Sequence, residues 1–105
     1  MELSEIVQKT RKAYNIPPYV DDDVLAQYAD AGRGFFLSLA GCDIDEDTDT
    51  RYQTLLMSYI YYWWSGVGDA FIPSYAQDLV AWQSMLRVAQ LPESLDTATR
   101  EADNV

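Results

Sequence analysis

Thr50-Arg51-Tyr52-Gln53-Thr54-Leu55-Leu56-Met57-Ser58-Tyr59-Ile60-Tyr61-Tyr62-Trp63-Trp64-Ser65 is the stretch that decides the fold. Tyr52, Leu55, Leu56, Tyr59, Ile60 and Trp63 recur at steps of three and four residues, which places them on one face of a helix. Met57, Tyr61, Tyr62 and Trp64 make the opposite side apolar or aromatic as well. A helix that is hydrophobic nearly all round is central to its assembly. The most apolar part, Leu55 to Trp64, has about half the length a bilayer span needs, so a buried helix is expected and no membrane association.

Upstream lies an acidic loop, Cys42 to Thr50, with Asp43, Asp45, Asp47 and Asp49 alternating and Glu46 among them. Before it, the run Asp21-Asp22-Asp23 reads as a helix start, where carboxylates cap free amides and meet the positive end of the helix dipole. That helix carries Val24, Leu25, Tyr28, Ala31, Phe35, Phe36 and Leu39 on one side and ends before Gly41. Gly32 and Gly34 let another backbone approach it closely, at some cost in helix propensity. A first helix, about Leu3 to Asn15, presents Leu3, Ile6, Val7 and Tyr14, and Pro17-Pro18 stops it because proline lacks the amide donor.

Downstream, Gly66, Gly68 and Pro73 frame a short connection, Val67 to Ile72. Ser74 followed by Gln77 resembles a capping box and opens a fourth helix, about Tyr75 to Gln90, with Leu79, Trp82, Leu86 and Ala89 along one side. Pro92 ends it. The remaining residues are acidic, small and polar, without a sustained apolar stripe, and are expected to be mobile in the free protein. The fold expected is therefore all-α, a small bundle of about four helices in one domain, residues 1–91, followed by a flexible acidic C-terminal tail, residues 92–105.

The whole chain has 105 residues, 7 basic and 17 acidic, a formal charge of -10, no histidine and a single cysteine, Cys42. One thiol cannot form an intramolecular disulfide, and without histidine there is no zinc finger and no Ser-His-Asp or Cys-His catalysis. Met1 to Lys12 lacks the continuous apolar region of a signal peptide, so secretion is not expected. An acidic balance with pI near 4.1 disfavours attraction to phosphate backbones, since binding there rests on Lys and Arg.

Asp43, Asp45 and Asp47 match the first three ligand spacings of an EF-hand, but the rest of that motif is missing. Thr48 stands where the turn needs glycine, and Thr54 where a bidentate Glu should close the site. No metal or other cofactor is expected. Gly32-Arg33-Gly34 lies inside a helical pattern, and Gly66-Val67-Gly68 lacks the Lys and Ser or Thr of a phosphate loop. The carboxylates are many, but helix starts and a solvated loop account for them without an acid-base site, so an enzyme is not expected. Cys42, a lone thiol, reads as a small helix-end residue. Arg87, in an apolar helix, reads either as a rim charge or neighbouring-helix ion pair, or as a bridge between subunits.

A central helix with only three neighbours leaves Tyr61, Tyr62 and Trp64 as candidates to face another subunit or partner; packing inside the monomer is the alternative. In order and composition, the pieces resemble the head-to-tail connector, or adaptor, proteins of tailed bacteriophages. The residues that carry the resemblance are a short first helix, the Asp21-Asp22-Asp23-Val24-Leu25 start of a long helix, the Tyr61-Tyr62-Trp63-Trp64 end of the third, and Asp78 to Val88 in the fourth. It covers about residues 3 to 90.

The resemblance implies a structural, non-enzymatic subunit of a ring, usually of twelve copies, beneath the portal protein. Such a ring extends the DNA channel, takes part in DNA packaging and virus assembly, and docks the stopper or tail-completion protein. DNA passes through without sequence-specific binding. The location implied is the virion, at the capsid-tail junction, after synthesis in the host cytoplasm. The oligomer or partner interface would involve Tyr61, Tyr62, Trp64, Trp82 and Arg87. The portal-binding tail would involve Leu91, Leu95 and Val105.

Asp43, Asp45, Asp47 and Asp49 are then expected to face the channel, where a negative wall repels phosphates, or to face a partner. Twelve copies bring about 120 negative formal charges together, so ring assembly should be templated by the portal and strengthen with salt. A reading from another class is an acidic DNA mimic that inhibits a basic nucleic-acid-binding protein; its acids would form an ordered surface stripe.

Overall fold

The computed structural model describes residues 1–90 and is all-α: α1 (Leu3–Tyr14), α2 (Asp22–Ala40), α3 (Thr50–Trp64), a 3-10 turn (Gly68–Ala70) and α4 (Phe71–Gln90), with no strand among the described residues. The expected tail, with Leu91, Leu95 and Val105, lies outside the described residues.

Local chemistry sets each boundary. α1 closes on Asn15 in the left-handed region (φ 52°), which asparagine tolerates, and the amides of Asn15 and Ile16 both reach the Arg11 carbonyl. The Arg11 side chain then spans the turn. Its Nε donates to Asp22 Oδ1 at 2.9 Å, and its terminal nitrogens donate to the carbonyls of Pro17 (3.2 Å) and Val20. One guanidinium thus satisfies a loop whose prolines cannot donate.

The Asp21 side chain makes no capping hydrogen bond. The acidic start of α2 therefore acts through its charge at the dipole's positive end and through Asp22 on Arg11. Gly41 closes α2 at φ 65°. α3 does have a side-chain cap: Asp49 Oδ1 accepts the Tyr52 amide at 2.9 Å.

α4 starts four residues earlier than the Tyr75 expected from the capping pattern at Ser74. Pro73 lies within its first turn, where amides have no intrahelical acceptor and a missing N–H costs nothing. The connection expected at Val67–Ile72 is accordingly residues 65–70, a tight turn in which Gly66 has φ 79°.

α3 packs against α1, α2, the 3-10 turn and α4, and so holds the central place. The core gathers Ile6 and Val7 of α1, Leu25, Ala29 and Phe36 of α2, Tyr52, Leu55, Leu56 and Ile60 of α3, and Phe71, Leu79 and Trp82 of α4. The expected stripes are corrected at their edges: Val24, Ala31 and Ala89 are exposed, Trp63 is 39% exposed, and Ala29 is in the core instead. Phe36 is the hub of the aromatic packing, edge-on to Tyr52, Tyr59, Phe71 and Trp82.

The close approach expected at Gly32 is present and is made by α3. A Cβ there would stand 2.7 Å from Leu56 Cδ1 and 2.8 Å from Tyr59 Cδ1, whereas one on Gly34 would meet nothing within 4 Å. The two glycines should respond oppositely to alanine. Gly34→Ala is expected to raise stability by about 0.5–1 kcal/mol through helix propensity. Gly32→Ala should lower it by about 1–2 kcal/mol, because overpacking outweighs the same gain. Urea denaturation of both variants checks the pair; stabilisation by Gly32→Ala would refute the α2–α3 contact.

Candidate interaction surfaces

The acidic loop divides into one internal acid, one cap and an exposed remainder. Glu46 points inward. Its Oε2 accepts Arg33 Nε at 3.0 Å and the Tyr52 hydroxyl at 2.5 Å, while its Oε1 accepts an Arg33 terminal nitrogen at 2.6 Å. Arg33, donated by the middle of α2, holds the Glu46 carboxyl well below its ordinary 4.5, down to about 2, with burial opposing and the Tyr52 bond assisting. Burial, then the bond to Glu46, pushes the Tyr52 phenol up. Gln53 Nε2 donates to the Glu46 carbonyl at 2.7 Å, so the loop is pinned to both α2 and α3.

Asp49 is half-buried. Besides capping α3, its Oδ2 accepts Trp82 Nε1 at 2.8 Å, tying the loop to α4. Its expected place on a channel-facing or partner-facing surface is therefore corrected: both carboxylate oxygens serve the fold. Asp43, Asp45 and Asp47 are exposed, and among the described residues no three potential metal ligands converge. Asp43 and Asp45 therefore remain available to a partner, Asp47 pairs with the Met1 ammonium at 3.5 Å, and the loop's shape is fixed from inside.

The expected interface residues fall into three settings. Tyr61, Tyr62 and Trp64 are half-buried by the chain's own helices. Tyr61 stacks on Tyr14 of α1 (centroids 4.3 Å apart, planes at 9°) and has Trp64 at 6.0 Å, while Tyr62 sits edge-on to Phe71 and Tyr75. Their outer edges alone could meet another subunit. Trp82 is 1% exposed, wedged between Phe36 and Tyr52. It is corrected from an interface residue to a core residue, because a contact with a partner would require α4 to leave the bundle. Arg87 is exposed and makes no ion pair among the described residues.

The large unpartnered surface is elsewhere. α4 turns Phe71, Tyr75, Leu79, Trp82 and Leu86 to the bundle, and on its other side Ile72, Val80, Met85 and Val88 are 55%, 61%, 57% and 69% exposed. An apolar second face needs a neighbour on α4 as it does on α3. Sequence spacing missed this because the small residues Ala76, Ala81 and Ser84 dilute the stripe. No described helix is long and apolar enough to cross a membrane. No protein-family model, curated protein or solved structure matches the chain.

Proposed function

We propose that the protein is a structural head-to-tail connector subunit of a tailed phage, one of a ring that continues the DNA channel below the portal and receives the stopper or tail-completion protein. The observation that carries this reading is the division of the surface. Exposed acids gather at the helix start Asp21–Asp23 and the loop Asp43–Asp47, and the outer side of α4 is apolar. A subunit that must meet other proteins on one side and leave DNA unbound on another needs such a division. The order of the helices and the aromatic third helix, on which the resemblance to connectors rests, support the same reading.

Electron microscopy of the purified protein mixed with the portal from the same genome tests it. A symmetric layer added beneath the portal is the expected result, with more complete occupancy at physiological than at low salt. A folded protein that leaves the portal bare would overturn the proposal, and its retention by a basic DNA-binding enzyme would favour the DNA-mimic reading.

A further inference from the structure

We propose that the outer face of α4 seats the same face of a second copy, forming a two-fold pair of free chains. The inference goes beyond the connector reading and does not depend on it, because it concerns the isolated protein. Ile72, Ala76, Val80, Ser84 and Val88 form an unbroken row at four-residue spacing, and all five are exposed. Such i±4 rows are the ridges that interlock when two helices cross at about −50°. Along this one, large and small side chains alternate. In an antiparallel pair whose two-fold axis passes midway between Val80 and Ser84 on the outer face, Val80 of each chain lies over Ser84 of the other, and Val88 over Ala76. The row is complementary to itself, as a two-fold interface requires.

Shallow depressions flank it, of about 400 Å³ beside Ser84, Met85, Val88 and Ala89 and about 380 Å³ beside Ala76, Gln77, Val80 and Ala81.

Charge selects the same occupant. Residues 1–70 hold twelve acidic and five basic side chains, whereas α4 holds only Asp78 and Arg87, which cancel. Two copies repel each other over most of their surface and meet without that penalty along α4. A basic partner, by contrast, would be drawn to the acids and not to this face. α4 is about 30 Å long, and a single helix-on-helix contact falls short of the roughly 800 Å² per partner typical of stable complexes. The pair is accordingly weak, with dissociation in the micromolar range or above, and tightens as salt screens the remaining repulsion.

Sedimentation equilibrium of the full chain, from about 10 µM to 1 mM at low and at moderate salt, tests this. The average mass is expected to rise from 11.9 kDa toward twice that value, and to rise further at the higher salt. Val80→Asp and Val88→Asp, each at a position more than half exposed, should weaken association at least tenfold with an unchanged circular dichroism spectrum. Leu37→Asp, at a position on α2 that is also about half exposed (51%), should not. A chain that stays monomeric throughout, or one that associates as well with Asp at position 80 and 88, overturns the proposal. Association that appears only when Leu91 and Leu95 are both changed to Asp also overturns it, and would assign the face to the chain's own C-terminal segment.

Discussion

Trp82→Ala should lower stability by about 3–5 kcal/mol, the range for removing a large aromatic side chain from a packed core. The indole is 1% exposed and contacts the edge of Phe36 (centroids 5.6 Å apart) and the face of Tyr52 (6.0 Å). Its loss empties the junction where α4 meets α2 and α3. It also frees Asp49 Oδ2, although that carboxylate is half-exposed and regains water, so the cavity dominates the cost. For a domain of this size the melting temperature should fall by roughly 15–30 °C, a large part of a total stability of about 5–15 kcal/mol. Trp82→Phe keeps much of the ring volume and loses the hydrogen bond, so it should fall between the two. Thermal denaturation followed by circular dichroism gives the answer, and a loss of only a few degrees for the alanine variant would mean that α4 is not docked through this side chain.

Glu46 carries the second large effect. Glu46→Ala leaves the Arg33 guanidinium and the Tyr52 hydroxyl without their shared acceptor, and a cost of about 2–4 kcal/mol is expected for breaking a mostly buried charged pair. Glu46→Gln, which keeps an acceptor and loses the charge, should cost about half as much. The pH dependence has a definite sign. Folding lowers the Glu46 carboxyl from 4.5 to about 2, so the folded state favours the ionised form. The stabilisation is complete above pH 4.5, declines as the pH falls, and is gone near pH 2. The difference in urea midpoint between the natural chain and Glu46→Gln should therefore be constant near neutrality and shrink across that window. A difference that persists to pH 2 would show that Glu46 acts through shape and not through its charge.

Helix order was legible in the sequence because the signals are local. Three- and four-residue spacing, the Pro17-Pro18 break, the αL closure at Gly41 and the crowding tolerated only at Gly32 all act within a turn or two of the residues that display them. The capping pattern at Ser74 does not mark the start of α4, because Pro73 in the first turn displaces no hydrogen bond and the helix begins at Phe71.

The loop's internal lock was not legible for a different reason. Arg33 and Glu46 stand 13 residues apart and Asp49 and Trp82 stand 33 apart, so no local pattern links them. Two signals are present in the residues themselves: Glu46 is the one longer-armed acid in a row of aspartates, and Arg33 is the one cation of α2. The two apolar second faces were exchanged on similar grounds. Periodicity reveals the second apolar face of α3, small residues dilute that of α4, and only the packing decides which is covered: α1, the 3-10 turn and α4 half-cover that of α3, leaving that of α4 bare.

The three tryptophans occupy three different media: Trp82 in the core with its indole N–H held by a carboxylate, Trp64 half-covered beside Tyr61, and Trp63 at the surface over Gly68, whose lack of a side chain gives the indole its room. Intrinsic fluorescence is therefore composite. A soluble quencher reaches Trp63 first and Trp82 last, so the quenchable fraction of the emission reports on the α3–α4 corner while the protected fraction reports on the integrity of the core. Docking at that corner and loss of the fold can then be separated in one titration, without a label.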